Sequence, residues 1–361
     1  MKNDKMTPKI RFKGFLEPWE QRKFEDVFNY ERPDKYIVKN TDYLIKGTPV
    51  LTANKSFVLG YSNEKNVYDK GPSIIFDDFT LESHYVDFSY LVKSSAIKIL
   101  TPKNNNDIYY LYELLNNANI RPIGHNRHYI SVVQRKSTSM STDVQEQRLI
   151  SNILKKNKKS IAANERKLSQ LKSLKKLFMQ RIFIQNWRFK GFTDPWEQRK
   201  LGDVFSYSSS KLIANKISNM GNGQYPVFDA TALIGNIETY DMTNKYISII
   251  KDGSGVGSIK LRPEKSSVIS TMGYLSTKNN SIYFLYYLLS QINLSKYIVG
   301  STIPHIYFSD YKNGKIFVPK SIEQNKIGFF IKYFDESLAA NERKLENLKK
   351  VKKYLMQNLF V

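Results

Sequence analysis

Few residues in this chain have the type and spacing to do chemistry. Asp77, Asp78 and Glu82 could be the metal-binding carboxylates of a nuclease, yet no partner lysine follows at a diagnostic spacing and the second half of the chain has no equivalent set. His125 and His128 form a His-x-x-His pair, but with four histidines in all and no cysteine there is nothing to complete a zinc site. The glycine cluster Gly253-Ser-Gly-Val-Gly257 could present bare amides to an anion, but it fits neither the phosphate-loop nor the dinucleotide spacing. It reads as a tight turn whose amides could face DNA phosphates. Asp194-Pro-Trp lacks the second proline of an amino-methyltransferase motif and belongs to a repeated segment, so it too reads as structural.

What must position any function is a duplication. Ser160-Ile-Ala-Ala-Asn-Glu-Arg-Lys-Leu168 returns as Ser337-Leu-Ala-Ala-Asn-Glu-Arg-Lys-Leu345, 177 residues later. The opening Arg11-Phe-Lys-Gly-Phe and Pro18-Trp-Glu-Gln-Arg-Lys23 return at the same offset as Arg188-Phe-Lys-Gly-Phe and Pro195-Trp-Glu-Gln-Arg-Lys200. Trp19 and Trp196 are the natural apolar anchors of these segments. Two proline-free runs, about residues 144–183 and 322–360, carry apolar residues at seven-residue spacing, among them Leu154, Ile161, Leu168, Phe178, Ile331, Leu338 and Leu345. Asn157, Asn164 and Asn341 fall on the same seam, where a buried amide fixes register. The pattern predicts two long helices, each about 57 Å at 1.5 Å per residue, paired as an antiparallel coiled coil. The first has no glycine and the second has one, Gly328.

Between the leading segments and the helices lie two variable regions. Runs such as Ser73-Ile-Ile-Phe76, Ala96-Ile-Lys-Ile-Leu100 and Tyr246-Ile-Ser-Ile-Ile250, punctuated by turn residues, read as strands of a mixed α+β domain. Each region adds one helix, with Ile108, Leu111, Tyr112 and Leu115 or Ile282, Leu285, Tyr286 and Leu289 as its apolar face, and Asp107 or Ser281 as its N-cap. Outside these anchors the two regions share little sequence. The organisation expected is residues 1–142 and 185–318 as globular domains, and 143–184 and 319–361 as spacer helices.

Charge narrows the partner. The net charge is +23, and the two long helices carry +12 of it, from eleven basic residues against three acids in 143–184 and nine against five in 320–361. The rest is spread over both domains, as expected for a protein lying along a nucleic acid and displacing its counterions. The absence of cysteine suits a reducing cytoplasm, and no apolar run approaches the roughly 18 residues needed to cross a bilayer.

Two divergent domains, each led by Arg-Phe-x-Gly-Phe…Pro-Trp-Glu-x-Arg-Lys and followed by a long helix opening on Glu146-Gln147 or Glu323-Gln324 and containing Asn-Glu-Arg-Lys-Leu, resemble the specificity subunit of a type I restriction-modification enzyme. The resemblance covers essentially the whole chain. It implies two target recognition domains, each reading half of a split double-stranded DNA site. It implies a spacer that docks two methyltransferase subunits, with restriction and motor subunits joining that core. It also implies no catalysis and no cofactor in this chain, the partners using S-adenosylmethionine, ATP and Mg. Gly300-Ser-Thr-Ile-Pro-His-Ile306 resembles the motif that closes such a domain, whereas Gly124-His-Asn-Arg-His-Tyr129 keeps only its glycine and histidine.

DNA-contacting residues are then expected at Lys55, Tyr61, Arg127 and His128 in the first domain, and at Lys251, Ser254, Lys260, Ser301, Thr302 and His305 in the second. Partner contacts are expected at Asn164, Glu165 and Arg166 and at Asn341, Glu342 and Arg343. The alternative is a basic coiled-coil adaptor that binds nucleic acid without sequence preference. An enzyme acting alone ranks third.

Overall fold

A computed structural model describes residues 7–54, 56–122, 127–217 and 223–361. The chain divides into two compact units, Met1–Glu165 with Lys344–Val361 and Arg166–Arg343, so each long helix gives its first half to one unit and its second half to the other.

In the first unit, β1 (Glu20–Lys23) leads through a single turn, α1 (Phe24–Val27), into β2 (Phe28–Glu31). There follow β3 (Thr48–Leu51), β4 (Val58–Ser62), β5 (Ser73–Asp77), β6 (Ser83–Val86), β7 (Leu91–Val92), β8 (Ile97–Pro102), α2 (Ile108–Asn117), β9 (Ser137–Met140) and the long α3 (Val144–Phe183). An antiparallel sheet of order β2-β8-β5-β6 and a smaller one of order β4-β3-β7 hold the domain, while β1 pairs with β9. The central strand β5 is buried on both faces, which is why its sequence is a continuous apolar run. The main core gathers Trp19, Phe24, Phe28, Tyr110, Leu111 and Leu114 with Ile150 and Leu154 of α3, and is closed by Leu355, Leu359 and Phe360 from the far end of the chain.

The second unit contains β10 (Glu197–Lys200), α4 (Leu201–Val204), β11 (Ser206–Ser209), α5 (Ala214–Ile217), β12 (Tyr225–Phe228), β13 (Leu233–Ile237), β14 (Tyr246–Ile250), β15 (Ile259–Arg262), β16 (Ser267–Val268), β17 (Met272–Ser276) and α6 (Ile282–Leu289). It ends with β18 (Ile298–Val299), β19 (His305–Ile306), α7 (Phe308–Tyr311), β20 (Lys315–Val318) and α8 (Ser321–Leu359). Its sheets, β11-β17-β14-β15, β13-β12-β16 and β10-β20, repeat those of the first unit strand for strand, with the hairpin β18-β19 in addition. Even the register shift recurs, between Val50 and Leu51 in β3 and between Val227 and Phe228 in β12. The two regions therefore share far more than their sequences suggest. Burial constrains only apolar character in a strand, so residue identity drifts while strand order persists.

Within the second unit the half-helices run antiparallel: Lys172 pairs with Glu342 at 3.0 Å, Lys175 with Asp335, and Phe178 packs on Phe334 at 5.9 Å. The first unit has the matching ion pair, Lys349 to Glu165 at 2.9 Å. Coiled-coil pairing as read from the heptads is thus present in both units, with Asn164 and Asn341 buried on the seam.

The N-terminus of α2 is capped as expected, Asp107 accepting from the Tyr110 amide at 2.8 Å. Ser281 occupies the equivalent place on α6 without a side-chain cap hydrogen bond. A Cβ on Gly328 would stand 2.7 Å from the Phe284 amide nitrogen and 2.9 Å from the Tyr283 Cβ. In the first unit Ser151 takes this position and its hydroxyl donates to Asp107. Gly328→Ala should therefore destabilise the second unit by about 1–3 kcal/mol through overpacking, despite the roughly 1 kcal/mol that alanine gains in helix propensity. The denaturant midpoint checks this, and a rise would show that the helices have room to part.

Candidate nucleic-acid interface

The repeated motifs turn out to build a clamp. Arg11 donates Nε and Nη2 to the two oxygens of Glu146 at 2.6 and 3.0 Å, and Trp19 donates Nε1 to the same carboxylate at 3.1 Å. Glu146 is fully buried, and its hydrogen bond holds the Arg11 guanidinium above its ordinary pKa. Arg188 grips Glu323 in the same way, at 2.9 and 2.7 Å. Trp196 is buried, but among the described residues its Nε1 has no partner.

The neighbouring glutamines complete the joint. Gln147 accepts from the Asp107 amide at 2.8 Å and donates to Asn106 and to the Ser141 carbonyl, both at 2.8 Å. Gln324 accepts from the Ser281 amide at 3.0 Å and donates to Asn280 at 3.0 Å and the Pro319 carbonyl at 2.9 Å. The Glu-Gln opening of each long helix thus fixes, at one point, the leading segment, the domain helix and the last strand. It is a rigid mount for whatever the domain carries.

What the second unit carries is a compact cluster at the end of β14. His305 Nδ1 meets Asp252 Oδ1 at 2.8 Å, and Lys251 also pairs with that carboxylate. Burial by itself would push the Asp252 carboxyl up, but the hydrogen bonds from Lys251 and His305 prevail and bring it below the ordinary carboxylate range. The backbone is stitched across the same gap, Gly253 N to the Pro304 carbonyl and Ile306 N to the Lys251 carbonyl, both 2.9 Å. Lys251, Ser254, Ser301, Thr302 and His305 are thereby brought to one locality, with Ser254, Ser301 and Thr302 exposed. Lys260 stands apart on β15, exposed and donating to the Thr231 carbonyl at 2.9 Å.

The glycine turn is as tight as expected, with Gly253, Gly255 and Gly257 all in the left-handed region at φ 86°, 78° and 83°. Its amides are largely spent on the protein itself: Gly253, Val256, Gly257 and Ser258 donate to Pro304, Gly253, Ile250 and Gly255 carbonyls. An amide cradle for phosphate is therefore not what this turn provides.

The first unit has a related but different arrangement. Asp78, just past β5, is buried against Lys98 at 3.3 Å, each side chain 3% exposed. Asp78 also receives the Tyr129 amide on Oδ1 at 2.8 Å, and its carbonyl receives the His128 amide at 2.9 Å. The His128 ring is 1% exposed, with Nδ1 3.1 Å from the same carbonyl. His128, expected among the DNA contacts, is thus buried against the backbone. Arg127 beside it is exposed, its guanidinium 5.9 Å from the Phe79 ring, and Tyr61 is half-buried on β4. Lys55 and His125 lie outside the described residues. The carboxylates weighed as a nuclease set are structural: Asp77 caps a turn, accepting from the Phe79 and Thr80 amides at 2.9 and 2.8 Å, and Asp78 is locked on Lys98.

Of the residues expected to meet partner subunits, Asn164 and Asn341 are buried, while Arg166 and Arg343 are exposed. Glu165 and Glu342 are engaged in the ion pairs with Lys349 and Lys172. More prominent are two apolar pairs the sequence reading passed over, Leu174 with Leu177 and Val351 with Tyr354, at equivalent places on α3 and α8 and 41–57% exposed.

The described residues thus build the same domain twice, each on the same Arg-Glu mount. Residues 193–350 match the family model for the type I restriction modification DNA specificity domain. The chain is 43% identical over 119 residues to a type I restriction enzyme specificity subunit of Escherichia coli, an alignment covering 31% of this chain and 30% of that one. It is 31% identical over 180 residues to the MjaVIII specificity subunit of Methanocaldococcus jannaschii, covering 46% and 42%. The matched segments thus span less than half of either relative. Its fold is like that of a type I restriction-modification S subunit from M. genitalium, with a TM-score of 0.73, 16% identity and 99% of each chain covered. Over these segments the chain is similar to type I restriction enzyme specificity subunits, and residues 193–350 match that family's DNA specificity domain.

Proposed function

We propose that this chain is the DNA-reading, non-catalytic subunit of a type I restriction-modification complex, each unit recognising one half of a bipartite double-stranded site. The observation that carries this reading is identity of frame with difference of tip. Both units have the same strand order and the same Arg-Glu clamp, yet the aspartate beyond the central strand serves a half-buried Lys251-Asp252-His305 cluster in one and a fully buried Asp78-Lys98 pair in the other. Generic backbone binding gives no reason for two copies of one frame to differ in this way at their tips, which disfavours the nonspecific adaptor.

In this reading phosphates are met by exposed Lys and Arg, and base edges by Tyr61, Arg127 and Lys55 in the first unit and Lys251, Ser254, Lys260, Ser301, Thr302 and His305 in the second. Two methyltransferase subunits dock on the long helices through Arg166 and Arg343 and the repeated apolar pairs, and restriction and motor subunits join them. S-adenosylmethionine, ATP and Mg serve those partners, in the cytoplasm. Among the described residues no helix is long and apolar enough to cross a membrane.

Lys251→Ala and His305→Ala provide the test. Each should weaken recognition by about 1–3 kcal/mol at one base pair, within one half-site only. Mapping methylated adenine across the genome of cells carrying each variant reads this out. Uniform weakening at all sequences would reassign the side chain to a phosphate.

A further inference from the structure

Resting on the DNA-reading assignment above, we propose that Arg262 of the second unit holds a DNA phosphate, the counter-ion of a guanidinium that the fold buries without one. Arg262 ends β15 and is 6% exposed. Its guanidinium lies 4.6 Å from the Phe228 ring, while Nε donates to Ser248 Oγ at 2.9 Å and Nη2 to the Asp229 carbonyl at 2.6 Å. Both acceptors are neutral, and among the described residues Arg262 forms no ion pair. Asp229 turns its carboxylate instead to the Thr231 and Ala232 amides, both at 2.6 Å. Burial lowers the Arg262 pKa from the ordinary arginine value, and the charge of Asp229 offsets this only in part.

A buried cation without an anion is unfavourable, and packing does not require one here. The first unit shows the alternative. In the strand registers Val86 stands where Arg262 does, Ile75 where Ser248 does and Leu51 where Phe228 does. All three are at most 1% exposed and belong to one apolar core cluster. The same frame therefore closes on aliphatic side chains in one unit and around a guanidinium and a serine hydroxyl in the other.

The site is open on the side a ligand would approach. Nη1 has no partner among the described residues and is not one of their buried polar atoms. Lys260, two residues earlier and so on the same face of β15, is exposed and donates to the Thr231 carbonyl. Two cations thus converge on the turn 229–232 of the β12-β13 hairpin, and neither has an ion-pair partner among the described residues. A guanidinium stacked on a ring, with two N–H groups fixed and one edge free, suits a phosphate oxygen. Ser248 precedes Lys251 by three residues, about 10 Å of extended chain, which is within the roughly 12 Å width of a major groove. One duplex can therefore meet both places.

The experiment uses duplexes of the mapped site in which each phosphate in turn is replaced by an uncharged methylphosphonate. Affinities are measured with the full chain in its co-purified complex. Arg262→Gln should bind the unmodified duplex about tenfold less tightly, the loss expected for one charge-assisted hydrogen bond. It should also be indifferent to one linkage at which the wild type loses that factor, and its plot of log Kd against log salt should be shallower by about one. Arg262→Val/Ser248→Ile, which copies the aliphatic pair of the first unit, should show the same binding loss with a denaturant midpoint no lower than that of the wild type. A folding defect is then not the cause.

The proposal is overturned if the Arg262 variants keep every sensitive linkage and the full salt slope, with binding lost only as far as stability is lost. Arg262 would then merely tie the hairpin to the sheet. If the wild-type complex binds a scrambled duplex as tightly as the mapped site, the DNA-reading assignment fails separately. The salt slopes of wild type and Arg262→Gln on that scrambled duplex still decide the phosphate contact, and equal slopes overturn it.

Discussion

Glu146→Ala is expected to destabilise the first unit by about 3–5 kcal/mol, because it removes one partner of a buried ion pair and leaves the other without compensation. Arg11 loses both of its side-chain acceptors and Trp19 loses the acceptor for its indole N–H. Equilibrium unfolding in denaturant measures the effect. Removing both partners in Arg11→Ala/Glu146→Ala should cost less than the sum of the single changes, since no unpaired charge remains. Glu323→Ala should act likewise on the second unit, but its tryptophan is not tied to the carboxylate, so the loss should be smaller. Equal losses in the two units would show that the Trp19 bond contributes little.

Asp78→Ala should cost a similar 3–5 kcal/mol, for a related reason. Among the described residues Lys98, nearly inaccessible to solvent, would keep the Ser95 carbonyl at 3.0 Å and the Tyr30 ring at 6.0 Å but no anion, and the Tyr129 amide would lose its acceptor. Lys98→Met should cost a comparable amount, because it leaves the buried Asp78 carboxylate without its cation and with the Tyr129 amide as donor. The functional signature separates this from general damage. Asp78 positions the segment carrying Arg127, so Lys98→Met, assayed at a temperature where the variant stays folded, should relax recognition at one half-site while the other is read normally. Loss of both halves together would mean that the two units do not act as independent readers.

Much of the frame was legible in the sequence, because exact repetition at a fixed offset needs no structural inference. The long helices, Trp19 and Trp196 as buried anchors, and the seam asparagines follow from periodicity and from the copies of Asn-Glu-Arg-Lys-Leu. The role of Glu-Gln was not legible, since a helix opener with two polar residues looks like an ordinary solvated first turn until Arg11 and Asn106 are seen to reach it. Nor was the shared strand order, because loops of changed length shift the offset and burial preserves apolarity rather than identity.

The tips were the least legible. His128 and His305 stand at the same offset, yet one ring is buried on a carbonyl and the other meets a carboxylate at the surface. Sequence alone gives a loop histidine no sign of what folds over it. Asp78 resembled a metal ligand until Lys98, twenty residues away, was found against it. The apolar pairs on α3 and α8 could have been noticed from Leu174-Lys-Lys-Leu177 and Val351-Lys-Lys-Tyr354, which repeat at the same offset as everything else.

The most direct measurement is genome-wide mapping of methylated adenine in host cells with this gene and without it, its methyltransferase partner being expressed in both. A DNA-reading specificity subunit predicts that one motif, split into two short halves by unspecified bases, is methylated with the gene and unmethylated without it. An unchanged methylation pattern, with the partner demonstrably active, would contradict sequence reading by this chain.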